Sequence, residues 1–113
     1  MHEMSLAENV LELILESARE QHFTRVKTIT LEIGQLAAVE ADALRFCFEA
    51  VTRDSLAENA ELIIVEIIGV GHCRACGATV TMPEKYGFCT NCDSPQLDIV
   101  SGDEMRVKEL TVE

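Results

Sequence analysis

The beginning of the chain alternates between apolar and charged residues with the period of an α-helix. Its apolar positions lie three or four residues apart and are Leu6, Val10, Leu13 and Ile14, with Leu11 and Ala18 beside them. Glutamates spaced four residues apart from Glu8 to Glu20 occupy the other side. Ser5 and Glu8 have the spacing of a capping box, in which the serine caps the first turn. The pattern predicts an amphipathic helix over residues 5–21 with Ser5 as its N-cap.

Strand patterns and a second helical pattern follow along the chain. Residues 26–33 are β-branched and alternate in polarity, which is typical of a strand with one buried face. Residues 61–68 are almost continuously apolar, so we expect a strand covered on much of both faces. The helical period returns over residues 40–54, and closing strands are predicted over residues 97–100 and 105–112. These elements predict an α+β fold in which two helices pack on a small mixed β-sheet.

A segment without apolar period, residues 72–96, contains two Cys-x2-Cys pairs separated by twelve residues. Two residues between ligands let a tight turn aim two thiolates at one ion, and the connecting hairpin brings the pairs together. The spacing predicts an inserted zinc-ribbon module whose structural zinc is held by Cys73, Cys76, Cys89 and Cys92. Iron bound by four thiolates and a redox dithiol pair are the alternatives. A catalytic zinc is disfavoured because four thiolates leave no open coordination position.

Three other residues carry weaker signals. His72 directly precedes Cys73, so it is either an exposed neighbour of the zinc site or a residue that exchanges with a cysteine ligand. His22 lies near the end of the first predicted helix, where it suits the helix dipole. Cys47 lies on the apolar face of the second predicted helix and suits core packing.

Charge and composition narrow the classes of function. The chain has 113 residues, of which 20 are acidic and 9 basic, so its formal net charge is −11. So acidic a surface repels phosphate backbones and anionic lipid, which disfavours nucleic acid and membranes as partners. We find no nucleophile–base arrangement and no phosphate loop, so we do not expect an enzyme. The start of the chain lacks the features of a secretory signal, and we therefore expect a cytoplasmic protein.

The second residue offers a different metal chemistry. The α-amine of Met1, the amide nitrogen of His2 and the His2 ring can close fused chelate rings on one ion, and the Glu3 amide can add another nitrogen. A nitrogen-rich square-planar site favours Ni(II) or Cu(II) over zinc. The residues alone leave a plainer alternative open, in which His2 is a solvated terminal residue and Glu3 interacts with the helix dipole. Glu40 is an ordinary acidic residue at the start of the second predicted helix.

Several motifs from the whole length of the chain occur together. They are the start Met1-His2-Glu3-Met4-Ser5-Leu6, the run Leu31-Glu32-Ile33-Gly34, the segment Arg45-Phe46-Cys47-Phe48-Glu49, the two cysteine pairs and the closing Ser101-Gly102-Asp103-Glu104-Met105. In this combination the chain resembles the HypA/HybF family, the nickel metallochaperones of [NiFe]-hydrogenase maturation. The Met-His-Glu start together with the two cysteine pairs is the specific part of the resemblance.

The resemblance implies a layout in two domains. A nickel-binding α/β domain would comprise residues 1–69 and 97–113, and a zinc-binding domain would comprise residues 70–96. It also implies that nickel binds through His2, with backbone nitrogens near Met1, His2 and Glu3. Some relatives use an acidic residue at the position that matches Glu40.

The resemblance further implies partners and a function. The partners are the HypB GTPase and the immature hydrogenase large subunit, and in some relatives nickel also goes to urease maturation. A homodimer is compatible with the resemblance. The implied function is to bind Ni(II) and help deliver it to the large subunit, with zinc in a structural role. The alternative function is a zinc-ribbon adaptor between proteins that transfers no nickel.

Overall fold

The computed structural model describes residues 2–113, and within them it has two α-helices and six strands. In chain order they are α1 (Glu3–Gln21), β1 (Val26–Gly34), α2 (Ala41–Val51), β2 (Glu61–Ile67), β3 (Val70–Cys73), β4 (Thr79–Thr81), β5 (Leu97–Ser101) and β6 (Met105–Val112). A single 3-10 turn, Gln35–Ala37, follows β1. The predicted α+β fold with an inserted cysteine module is confirmed. Neither described helix is long and apolar enough to cross a membrane.

The six strands form two three-stranded sheets. Their orders are β2-β1-β6 and β4-β3-β5. β1 and β6 run antiparallel, because Arg25 pairs with Glu113 at one end while the Gly34 N–H donates to the Glu104 carbonyl at the other. β3 pairs antiparallel with both of its neighbours. The strands that flank the cysteine pairs therefore share a sheet of their own.

The chain divides into two compact units. The first contains the residues up to Leu31, Val39–Ile64 and Val107–Glu113, and the second contains Glu32–Ala38 and Val65–Arg106. All four paired cysteines lie in the second unit. The domain boundaries expected from the sequence, at 69/70 and 96/97, stay a prediction, because compactness does not show which segments fold independently.

The core of the first unit lies where α1 and α2 pack against each other. Its apolar side chains are Val10 and Ile14 from α1, Leu44 and Phe48 from α2, and Val26, Ile29 and Leu31 from β1, all at most 3% exposed. Burying each such side chain stabilises the fold by about 1.5–3 kcal/mol. Leu13, predicted in the buried stripe of α1, is instead 53% exposed, because it lies at the edge of that stripe.

The start of α1 differs from the prediction. The N-cap is His2 and not Ser5, and the His2 carbonyl accepts a hydrogen bond from the Leu6 N–H at 3.1 Å. Glu3 occupies the first turn, where a negative charge interacts favourably with the helix dipole. Ser5 therefore lies inside the helix, and the predicted capping box is wrong. The difference places His2 and Glu3 on a structured first turn.

β2 is less buried than its apolar run suggests. Of its residues Leu62 alone is buried, and Ile63 is 38% exposed. β2 lies at the edge of its sheet, where the Leu62 carbonyl accepts a hydrogen bond from the Arg45 side chain. The expectation of a strand covered on both faces was wrong, because an apolar run does not reveal whether a strand is central or at an edge.

Candidate metal centres

Each Cys-x2-Cys pair folds into the same backbone turn. In the first turn the Gly77 N–H donates to the Cys73 carbonyl, and the Cys73 N–H donates to the Ala78 carbonyl, both at 2.9 Å. The second turn repeats both bonds at 2.8 Å, with Cys89, Asp93 and Ser94 in the corresponding places. The fourth residue after the first cysteine is left-handed in both turns, with φ 78° at Gly77 and 62° at Asp93. Each turn thus presents its two cysteines in the same way.

The two turns bring four sulfur atoms together. All four lie within 4.8 Å of one another, and the sulfurs of Cys73 and Cys92 are 3.6 Å apart while those of Cys76 and Cys89 are 3.7 Å apart. A tetrahedral zinc ion with bonds of about 2.3 Å to sulfur needs sulfurs about 3.8 Å apart. The residues present therefore fit a tetrathiolate zinc ion. Within residues 2–113 no other group of three or more ligating side chains is close enough to hold an ion.

The four thiols influence one another's ionisation. The pKa of Cys76 is lowered to about 6, chiefly because the Asn91 side chain donates a hydrogen bond to its sulfur. The backbone N–H of Cys76 lowers the pKa of Cys73. The backbone N–H of Ser94 lowers the pKa of Cys92, but desolvation and the neighbouring thiols outweigh this effect and raise that pKa to about 12. Four sulfurs this close cannot all carry negative charge unless a cation lies among them. The cluster therefore suits a bound metal ion, whose positive charge stabilises the four thiolates.

Asn91 is a contact residue of this cluster that sequence reasoning missed. Its side-chain Nδ2 donates to the Cys76 sulfur at 3.4 Å, and its backbone N–H donates to the Cys89 sulfur at 3.3 Å. The one signal in the sequence was its position between Cys89 and Cys92, where backbone amides come close to sulfur. The contact with Cys76, fifteen residues away, depends on how the two turns face each other and leaves no local pattern.

The residues expected to bind nickel lie at the starts of the two helices. His2 is the exposed N-cap of α1, and Glu40 is the exposed N-cap of α2. Oε2 of Glu3 lies 3.5 Å from the Glu40 backbone nitrogen, which donates to it. The fold thus brings Glu3 to Glu40 across 37 residues of sequence. Met1, expected to supply its amine, lies outside the described residues.

The three weaker candidates occupy different surroundings. His72 is exposed in β3, where it pairs with Thr79 and Asp98. His22 is the left-handed C-cap of α1, and its backbone N–H donates to the Ala18 carbonyl at 2.8 Å. Cys47 is a half-buried free thiol on α2.

Comparisons with known proteins match the whole length of the chain. The family model described as "HypA: Hydrogenase/urease nickel incorporation, metallochaperone" matches residues 1–112. Two relatives named "Hydrogenase maturation factor HypA", from Albidiferax ferrireducens and Azotobacter vinelandii, are 56% and 55% identical over 113 residues, with all of each chain covered.

Two solved structures have the same fold. One is described as the solution structure of the Ni metallochaperone HypA from Helicobacter pylori, with a TM-score of 0.73 and 27% sequence identity. The match covers 99% of this chain and 97% of that one. The other, "Solution structure of HypA protein", has a TM-score of 0.70 and 26% identity, with 100% of this chain and 97% of that one covered.

The fold and the cysteines define the class of protein, an α+β protein with a four-cysteine cluster in an inserted module that could hold a metal ion. The relatives are named as maturation factors or metallochaperones and not as catalysts. The chain belongs to the HypA family of hydrogenase/urease nickel-incorporation metallochaperones.

Proposed function

We propose that this protein binds Ni(II) at the start of α1 and helps deliver it to the immature large subunit of [NiFe]-hydrogenase. The observation that carries the proposal is the position of His2, which is exposed at the N-cap of α1. The first amide groups of a helix have no intrahelical acceptor. The nitrogens of His2 and Glu3 are therefore not committed to the helical hydrogen-bond ladder. The family match over residues 1–112 supports nickel as the cargo.

The proposed ligands are nitrogen atoms for the most part. The His2 ring and the amide nitrogens of His2 and Glu3 would form fused chelate rings, with the Met1 amine as a further ligand. Such a set suits square-planar Ni(II). Because most of these ligands are backbone atoms, the site does not need a cluster of three side chains. The carboxylates of Glu3 and Glu40 would attract the cation or complete its coordination.

The cysteine cluster suits a different ion and a different role. Four thiolates with the observed sulfur spacing favour zinc and leave no open position for exchange. Cys73, Cys76, Cys89 and Cys92 would hold this structural zinc, which cross-links the two turns. Cargo nickel would then occupy a nitrogen site that a partner can open, while resident zinc stays in its sulfur site.

Partners follow from the family and from charge. The proposed partners are the HypB GTPase and the precursor of the hydrogenase large subunit, in the cytoplasm, and a homodimer is compatible with the proposal. With a net charge of −11, the protein favours basic docking surfaces on partners and not nucleic acid or anionic membranes. The proposed domain division is a nickel-binding part of residues 1–69 and 97–113, and a zinc-binding part of residues 70–96.

Nickel titration of untagged protein tests the function. His2→Ala should weaken nickel binding at least tenfold and leave one equivalent of zinc in place. His22→Asn is the matched control, because asparagine tolerates the left-handed conformation of this exposed histidine. It should bind nickel like the parent protein. Equal nickel binding by the parent and His2→Ala would refute the His2 site and favour the adaptor function.

A second experiment tests the backbone part of the site. One residue added before Met1 displaces the amine from the chelate ring, so nickel binding should weaken while zinc content stays unchanged. Undiminished nickel affinity would show that the Met1 amine is not a ligand.

A further inference from the structure

The side chain of Asn91 links the two cysteine turns by a hydrogen bond. Its side-chain amide reaches the Cys76 sulfur of the first turn at 3.4 Å. Its own backbone N–H reaches the Cys89 sulfur of the second turn at 3.3 Å. One residue therefore donates to one sulfur of each pair.

The sulfurs of Cys76 and Cys89 differ in their exposure to solvent. Cys89 is fully buried, whereas Cys76 and Cys92 belong to exposed residues. A competing chelator or an electrophile reaches an exposed thiolate first. The amide of Asn91 lies against Cys76, and a sulfur that accepts an N–H donates its lone pair less readily to an attacking group. Hydrogen bonds to ligand atoms commonly change metal affinity by about 10- to 100-fold.

We propose that Asn91 is a positioning residue of the cysteine site, which clamps the two turns together and slows loss of the resident metal through Cys76. The inference rests on the proposed zinc site and extends it, because it assigns retention of zinc to a residue that is not a ligand. It gives a physical reason why this ion stays bound in a protein whose other metal must be released.

The test compares full-length, zinc-loaded, untagged variants. Asn91→Asp keeps the shape of the side chain but replaces the donor by a carboxylate oxygen, and Asn91→Ala removes the donor altogether. Thr90 is the exposed neighbour in the same turn, so Thr90→Asp adds the same charge without removing a hydrogen bond. Thr90→Ala controls for truncation.

The first measurement is the rate of zinc release to excess 4-(2-pyridylazo)resorcinol. Both Asn91 variants should release zinc about tenfold faster than the parent protein, and both Thr90 variants should release it at the parent rate. The clamping role of Asn91 would also be supported if the purified Asn91 variants held no zinc while the Thr90 variants held one equivalent.

The second measurement separates an effect on sulfur from a general loosening of the fold. In cobalt-substituted protein the sulfur-to-cobalt charge-transfer band should move to lower energy in both Asn91 variants, because a sulfur without the hydrogen bond is a better electron donor. It should not move in the Thr90 variants. Suppose that every variant holds one equivalent of zinc, releases it at the parent rate and shows an unshifted band. This result would overturn the role of Asn91 but leave the zinc site standing. Parent protein that binds no zinc would overturn the zinc site itself, and this inference with it.

Discussion

Replacement of Gly102 by alanine tests how closely backbone segments approach one another in the second unit. Gly102 lies in the turn between β5 and β6 with φ +90°. Its carbonyl accepts a hydrogen bond from the Leu36 N–H at 2.7 Å. A β-carbon at this position would lie 2.6 Å from the Gly69 Cα and 2.6 Å from the Ile68 carbonyl oxygen. Both contacts are with backbone, which cannot rotate away as a side chain can.

The expected cost has two parts. A left-handed conformation costs a residue with a β-carbon about 1–2 kcal/mol. Forcing an extra carbon into a packed site costs about 1–3 kcal/mol more. Gly102→Ala should therefore lower the free energy of unfolding of the second unit by about 2–5 kcal/mol.

Two other glycines of the same unit separate these parts. Gly77 has φ +78°, but a β-carbon there would meet nothing within 4 Å, so Gly77→Ala should cost only the conformational part, about 1–2 kcal/mol. Gly87 has neither a left-handed φ nor a close neighbour. Gly87→Ala should be neutral or stabilise by up to about 1 kcal/mol, because it restricts the unfolded chain.

The assay is urea unfolding of zinc-saturated protein, followed through the backbone amide signals of β3 and β5 by nuclear magnetic resonance. Zinc content is measured for each variant, so that loss of metal is not mistaken for strain. If Gly102→Ala costs no more than Gly77→Ala, the close approach of Gly102 to Gly69 contributes nothing, and the reasoning from the β-carbon distances is refuted.

Two more predictions concern the metal and the helical core. Removal of the proposed zinc by a chelator should collapse the amide dispersion of residues 72–96. The helical circular dichroism should persist, because the α1–α2 core contains no cysteine ligand. Retained dispersion after complete removal of the metal would contradict this. Leu44→Ala should destabilise the first unit by about 2–5 kcal/mol because Leu44 is fully buried. Phe46→Ala, at a side chain 74% exposed on the same helix, should stay within about 0.5 kcal/mol, and equal effects in urea unfolding would show that burial on α2 is not what stabilises it.

Local patterns predicted the type of an element more reliably than they predicted its burial. The period of α1 and the alternation of β1 both predicted the element correctly in outline, although residues on both faces of β1 are buried. In β1, Thr30 alternates with the apolar residues Ile29 and Leu31, yet it is only 6% exposed. Burial of the second face depends on what the rest of the chain lays over it.

The cysteine site was predictable in its ligands and not in its surroundings. The spacing of the cysteines is a property of local turns, so the four ligands can be grouped from their positions along the chain. Thr90 and Asn91 both lie between Cys89 and Cys92, and nothing in the sequence predicts which of their side chains contacts Cys76. The contact of Asn91 with Cys76 exists only because the two turns face each other.

By itself the sequence determined the periods of the helices and strands, the excess of negative charge and the grouping of the cysteines, because each of these depends on composition or on residues a few positions apart. Tertiary structure alone decided that β2 lies at an edge, that β5 pairs with β3, and that Glu3 meets the Glu40 amide across 37 residues. These are pairings between distant segments, and they are set by which packing of the whole chain buries the most apolar surface while satisfying its backbone hydrogen bonds.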